Sequence, residues 1–156
     1  MKNTTLLFLI KKDGDTITDV CLAMKKRGFG IGRYNGVGGK VELTESIEGG
    51  AIREAKEEIG VDVLVLSLCA TLNFTFLDNS AWNQLVHVYL TDSWEGEPSE
   101  GEEMNPKWFS VKDIPYTTMW PDDIYWLPSV LEGKLVRGRF TFSEGDTIIE
   151  NEVTVI

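Results

Sequence analysis

Apolar positions along this chain follow two different periods, and the change of period sets the order of its elements. Thr5 to Ile10 is a β-rich apolar run. Lys11-Lys12-Asp13-Gly14-Asp15 reads as a turn, and a second apolar run spans Val20 to Met24, which together predict a hairpin. Between Ser46 and Gly60 the period becomes helical. At about 100° per residue, Glu54, Glu57 and Glu58 share an arc of about 100° while Ile52, Ala55 and Ile59 take the other side. Ser46 suits the cap at the helix start, and Gly60 suits the left-handed stop at its end. From Val61 to Phe76 the residues are mostly β-branched, aliphatic or aromatic. They predict a short strand, a break near Ser67, and a longer strand ending in Asn73-Phe74-Thr75-Phe76-Leu77, with Phe74 and Phe76 on one face. Asp78-Asn79-Ser80 turns the chain into a strand from Leu85 to Thr91, where the only histidine, His87, has a structural or surface place. Lys107 to Val111 reads as a further strand. Pro121, Asp122 and Asp123 suit the first turn of a helix that Pro128 keeps short or kinked. Lys134 to Phe142 and Thr147 to Ile156 close the chain as a hairpin. Strands, helix, strands, helix, strands is the order of an α/β sandwich, helices packed on a mixed sheet.

With 156 residues and 42% hydrophobic content, one well-cored domain spanning 1–156 is expected. A formal net charge of −10 disfavours a DNA or RNA polymer as partner, because phosphate backbones demand clustered cations. Leu6 to Ile10 is far shorter than the ~20 apolar residues of a membrane helix and lacks a small-residue cleavage site, so a cytoplasmic chain without a membrane partner is expected. Cys21 and Cys69 sit inside apolar runs and read as small buried side chains, and no Cys/His cluster suggests zinc.

The acidic face of the central helix carries the chemistry. Glutamates at these spacings repel one another, so a cation should offset them, and hard oxygen ligands suit Mg2+ or Mn2+. Taken alone, three glutamates are a solvated helix face. Their setting says more: Gly39, Glu45, Arg53, Glu54, Glu57, Glu58 and Gly60 match every fixed position of the Nudix box, and the chain resembles that family of hydrolases acting on nucleoside-diphosphate linkages. Ala55 stands where the pattern asks for a larger aliphatic, and Thr44 where many members carry Gly. The resemblance implies a Nudix-type α/β/α sandwich and a metal site made by Glu54, Glu57 and Glu58. Gly38 would add its carbonyl and Glu103, preferred to Glu102, would complete the shell. One of these glutamates would be the general base. Arg53, four residues before Glu57, orients it by an ion pair. The basic glycine-punctuated loop from Met24 to Arg33 reads either as a solvated surface or as an approach for phosphate.

Outside the box, Met24-Lys25-Lys26-Arg27-Gly28-Phe29-Gly30, Arg33-Tyr34-Asn35-Gly36 and Met119-Trp120-Pro121-Asp122-Asp123 resemble the animal-type Nudix branch that hydrolyses oxidised purine nucleoside triphosphates. That likeness implies that Asn35, Asp122 and Asp123 hydrogen-bond the base edge and that Trp120 stacks on it. Thr5, Lys25, Phe29, Phe74 and Phe76 would lie in or beside the base and ribose pocket. Tyr34 replaces a tryptophan often found beside the asparagine, and Gln84 falls near a position often held by methionine. Adjacent carboxyls in a partly dry pocket have raised pKa values, so one of the aspartates is expected to hold a proton. The implied reaction yields nucleoside monophosphate and pyrophosphate from a monomeric, Mg2+-dependent enzyme. The alternatives are a Nudix hydrolase for ADP-ribose, a dinucleotide or a methylated purine, and a binding module without catalysis. The intact glutamate set argues against the last.

Overall fold

A computed structural model describes all 156 residues. The expected hairpin is β1 (Lys2–Asp13) and β2 (Thr16–Lys25), antiparallel with Ile10 opposite Val20. There follow β3 (Tyr34–Asn35), α1 (Ile47–Ile59), β4 (Asp62–Phe76), β5 (Gln84–Glu95), β6 (Met104–Ser110), α2 (Asp123–Leu131), β7 (Val136–Ser143) and β8 (Thr147–Val155). The strands form one mixed sheet in the order β3-β2-β1-β5-β4-β7-β8, with β6 paired to β2. β1 runs parallel to β5 and β4 to β7, and the other neighbours are antiparallel. No helix is long and apolar enough to cross a membrane.

The unbroken apolar run of β1 is explained by burial on both faces. Leu7 and Leu9 pack with Ala51, Ala55 and Ile59 of α1, whereas Phe8 and Ile10 pack with Trp126, Leu127, Val130 and Leu131 of α2. Alternation along one strand thus feeds two cores, one under each helix, and the α/β/α sandwich is the result. Both cysteines are buried and unpaired. Burial pushes the thiols up, Cys21 to about 11 and Cys69 to about 12, and the Cys69 Sγ donates to the carbonyl of Val88.

Two expectations are corrected. The break near Ser67 is not an end of strand, since β4 runs on through it against β5. The polar residue marks a run of register shifts, between Val63 and Val65, Val65 and Ser67, and Leu68 and Ala70, where bulges bend the strand without ending the ladder. The strand expected from Leu85 to Thr91 is also longer, because β5 continues to Glu95.

β1 changes partner along its length, and this opens the site. Its last residues pair with β2, but at its start the Thr5 amide donates to the Gly39 carbonyl at 2.9 Å and the Leu7 amide to Val37 at 2.7 Å. β2 meanwhile pairs with β6 from Asp19 onward. Where β1 and β2 part, a cavity of about 270 Å³ opens over β1, β4 and β5.

Candidate active site

The helix that carries the glutamates is fixed at both ends as its sequence requires. The Ser46 hydroxyl accepts from the Gly49 amide at 3.0 Å, and Gly60 stops the helix at φ +74° while its amide donates to the Lys56 carbonyl at 3.1 Å. Buried Ala51, Ala55 and Ile59 dock one face, so Glu54 and Glu58 are turned toward the glycine segment that lines β1. There the Gly38 amide donates to Glu58 Oε2 at 3.3 Å. A Cβ on Gly38 would sit 1.9 Å from the Thr5 carbonyl oxygen, and one on Gly39 would sit 2.7 Å from Glu54 Oε1. Only glycine lets the segment come this close.

Glu54 and Glu58 lie close enough to influence each other, and burial raises the pKa of both. For Glu58 the shift reaches about 8, through burial first and the neighbouring Glu54 second. Arg53 offsets the rest of the acidic cluster. It touches Glu57 at 3.2 Å as its spacing suggested, but also Glu54 at 3.0 Å, and its strongest partner is Glu45. That pair is bidentate, with Nη2 to Oε1 at 2.7 Å and Nε to Oε2 at 3.0 Å, and Arg53 holds the Glu45 carboxyl down at about 2. Sequence reading missed this partnership. Its only signal was the fixed place of Glu45 in the box. Glu57 itself is 57% exposed.

Glu103 lies across the cleft, paired to Lys25 at 3.2 Å and facing Arg27 at 3.7 Å. Lys26 pairs with Glu100 at 2.6 Å and Arg27 with Glu102 at 3.1 Å. The basic loop therefore spends these cations on the acidic loop opposite, and of the three only Lys25 also lines the cavity.

The other end of the cavity is aromatic and acidic. Thr5, Lys25, Phe29, Asn35, Gly38, Glu58, Phe74, Phe76, Trp120, Asp122 and Asp123 all line it, so the expected pocket residues meet in one space. Glu54, Glu57, Glu103 and Arg53 stand outside its lining. Phe74 and Phe76 meet edge to face at 6.5 Å, and Phe29 leans on Trp120 at 5.0 Å. Asp122 and Asp123 are only 3% and 2% exposed. Asp122 does not cap its helix. It accepts from the Trp126 indole N–H at 2.8 Å instead. Burial raises both carboxyls, Asp123 well above the ordinary range because the Asp122 charge adds to the effect. Asp123 Oδ2 and Thr5 Oγ1 are buried without a hydrogen-bond partner. Buried polar groups without partners are rare, and both of these residues line the cavity. Gln84 lines the cavity, in keeping with its expected place near the pocket, and Arg33 and Leu72 line it without having been singled out by the sequence.

The NUDIX domain profile matches residues 2–130. The chain belongs to the Nudix family. It is 44% identical over 134 residues to the oxidized purine nucleoside triphosphate hydrolase of Danio rerio, covering 86% of this chain and 85% of that protein. To the protein of the same name in Mus musculus it is 46% identical, covering 83% of each. Among solved structures, a mutator MutT protein from Bacillus halodurans superposes with a TM-score of 0.83 over 98% of this chain and 97% of that one; at 22% identity this shows the fold.

Membership of the Nudix family implies a divalent metal cation. The residues present fit one. Glu54 and Glu58 are hard oxygen donors, partly buried and side by side, where a cation would relieve their repulsion. The Nudix glutamates are not drawn together as a set of three around one point, since Glu57 is held by Arg53 and Glu103 by Lys25.

Proposed function

We propose that the chain, as one Nudix domain spanning 1–156, hydrolyses oxidised purine nucleoside triphosphates such as 8-oxo-dGTP to the nucleoside monophosphate and pyrophosphate, using Mg2+ or, in its place, Mn2+. One observation carries this reading: a single cavity joins a base-sized aromatic and acidic end, at Trp120, Asp122 and Asp123, to Glu58 and the glycine segment at the other. The names of the animal relatives support it.

Glu54, Glu57, Glu58 and Glu103, with the Gly38 carbonyl, would hold the metal. When bound, the metal neutralises charge on the phosphate oxygens and makes water more acidic. One of the same glutamates takes the proton from the attacking water, Arg53 positions Glu57, and Lys25 meets the phosphates. At the other end Trp120 stacks on the base, flanked by Phe29, Phe74 and Phe76, while Asn35 and Thr5 offer hydrogen bonds. Asp122 and Asp123 share a proton, so the pair both donates and accepts. It can therefore read the edges of oxidised guanine and of oxidised adenine. The chain works as a monomer on small nucleotides in the cytoplasm.

The test is a pyrophosphate-release assay over oxidised and normal purine triphosphates, with ADP-ribose, a dinucleotide and a methylated purine triphosphate alongside. The highest kcat/KM is expected for the oxidised purines. A higher value for any of the others would overturn the substrate reading, and no turnover on any would make the chain a binding module.

A further inference from the structure

Arg33 has no role in the reading above, yet it is fastened to the base end of the cavity by three contacts from three parts of the chain. Its guanidinium carbon lies over the Trp120 ring, 4.2 Å from the centroid. Its Nη2 forms an ion pair with Asp146, in the turn between β7 and β8. Its backbone is pinned as well, donating to the Gly30 carbonyl at 3.1 Å and accepting from the Lys25 amide at 3.0 Å. Gly30 completes the seat: a Cβ there would lie 3.4 Å from the Trp120 ring, so the loop is laid directly on the indole.

The third nitrogen of the guanidinium decides what holds it. Nη1 is buried and has no hydrogen-bond partner, although the side chain as a whole is 30% exposed. A long, flexible side chain free to choose would turn that charged donor to water, since an unmet buried donor is costly. Its planar group stays on the ring and the carboxylate instead. Arginine is suited to this because its plane stacks on an aromatic face while its fork engages a carboxylate.

We propose that Arg33 is a positioning residue for the substrate base. Anchored by Asp146, it fixes the plane of Trp120, so the indole is held ready to stack before a nucleotide arrives. The inference rests on the reading of Trp120 as the stacking residue. Pre-set geometry lowers what binding must spend on ordering, and its loss appears in KM more than in kcat.

The test is a mutant cycle with oxidised dGTP as substrate, using Arg33→Gln, Trp120→Ala and the double variant, with melting temperature recorded for each. Arg33→Gln is expected to raise KM roughly 3- to 30-fold, the scale of one cation–aromatic contact, and to change kcat by less than about 2-fold. In the Trp120→Ala background the same substitution should add less than about 2-fold, because the ring it positions is gone. Asp146→Asn, which leaves the guanidinium in place, should shift KM in the same direction by less, and Arg33→Lys should recover part of the loss. It also keeps the test usable if Arg33→Gln folds poorly. An unchanged KM in Arg33→Gln beside a raised one in Trp120→Ala overturns the role of Arg33 alone. An undiminished effect in the double variant means direct action on the substrate and overturns it too. A lowered KM in Arg33→Gln would show the guanidinium occupying the face the base needs, again against the proposal. If Trp120→Ala itself leaves KM unchanged, the stacking reading falls and takes this one with it.

Discussion

Glu58 and Glu57 sit one residue apart and should differ in what neutralisation does to stability. Folding raises the Glu58 carboxyl from 4.5 to about 8, so between these values the folded chain holds a proton that the unfolded chain has lost. Its stabilising share is full below the unfolded value and is lost as pH rises through the folded one. Metal-free melting temperature should therefore fall across that window, and Glu58→Gln should melt above wild type at pH 8. Turnover of the same variant should drop at least about 100-fold, the scale of removing a charge that the transition state needs. Glu57→Gln should also lose turnover but leave melting nearly unchanged, because Glu57 is exposed and meets only Arg53. At the base end, Asp122→Ala should cost about 1–3 kcal/mol for each donor left unpaired. That is roughly a 5- to 150-fold lower kcat/KM for oxidised dGTP, with a much smaller fall for a triphosphate without a purine. If Asp122→Asn and Asp123→Asn match wild type on every substrate and at every pH, the pair does not read the base.

At the scale of elements, the glycine segment and the helix it faces divide geometry from stability. Gly38→Ala cannot fit, since its Cβ would fall inside the Thr5 carbonyl, and the pairing of the segment with β1 must give way. A loss of about 1–3 kcal/mol is expected from that overpacking, with activity falling further than stability as Glu58 loses its partner. Ser46→Ala should cost about 1 kcal/mol in unfolding and leave kcat/KM close to wild type. Both are read from denaturant midpoints beside steady-state rates. The helix was legible because its period, its serine cap and its glycine stop are local signals. Pocket membership of Asn35, Trp120, Asp122 and Asp123 came from family likeness. The bulges of β4 were not legible, because register is decided by β5 and not by β4 itself. Nor was the grip of Arg53 on Glu45, or of Arg33 on Trp120 and Asp146, because each joins segments whose meeting depends on the fold.

For the whole molecule, metal binding and folding should be linked. If the cation binds only the folded arrangement, Mg2+ raises the melting temperature of the wild type and does so much less for Glu54→Gln. Equal shifts in the two proteins would place the site elsewhere. The same packed interior has a chemical consequence for a catalyst proposed to act on oxidised nucleotides. Peroxide attacks thiolates, and the two thiols here are enclosed and hold their protons to about 11 and about 12. Neither should react with a thiol reagent until the chain unfolds, and hydrogen peroxide at levels that damage nucleotides should leave both as free thiols by mass. The catalyst then stays reduced under the stress that makes its substrate.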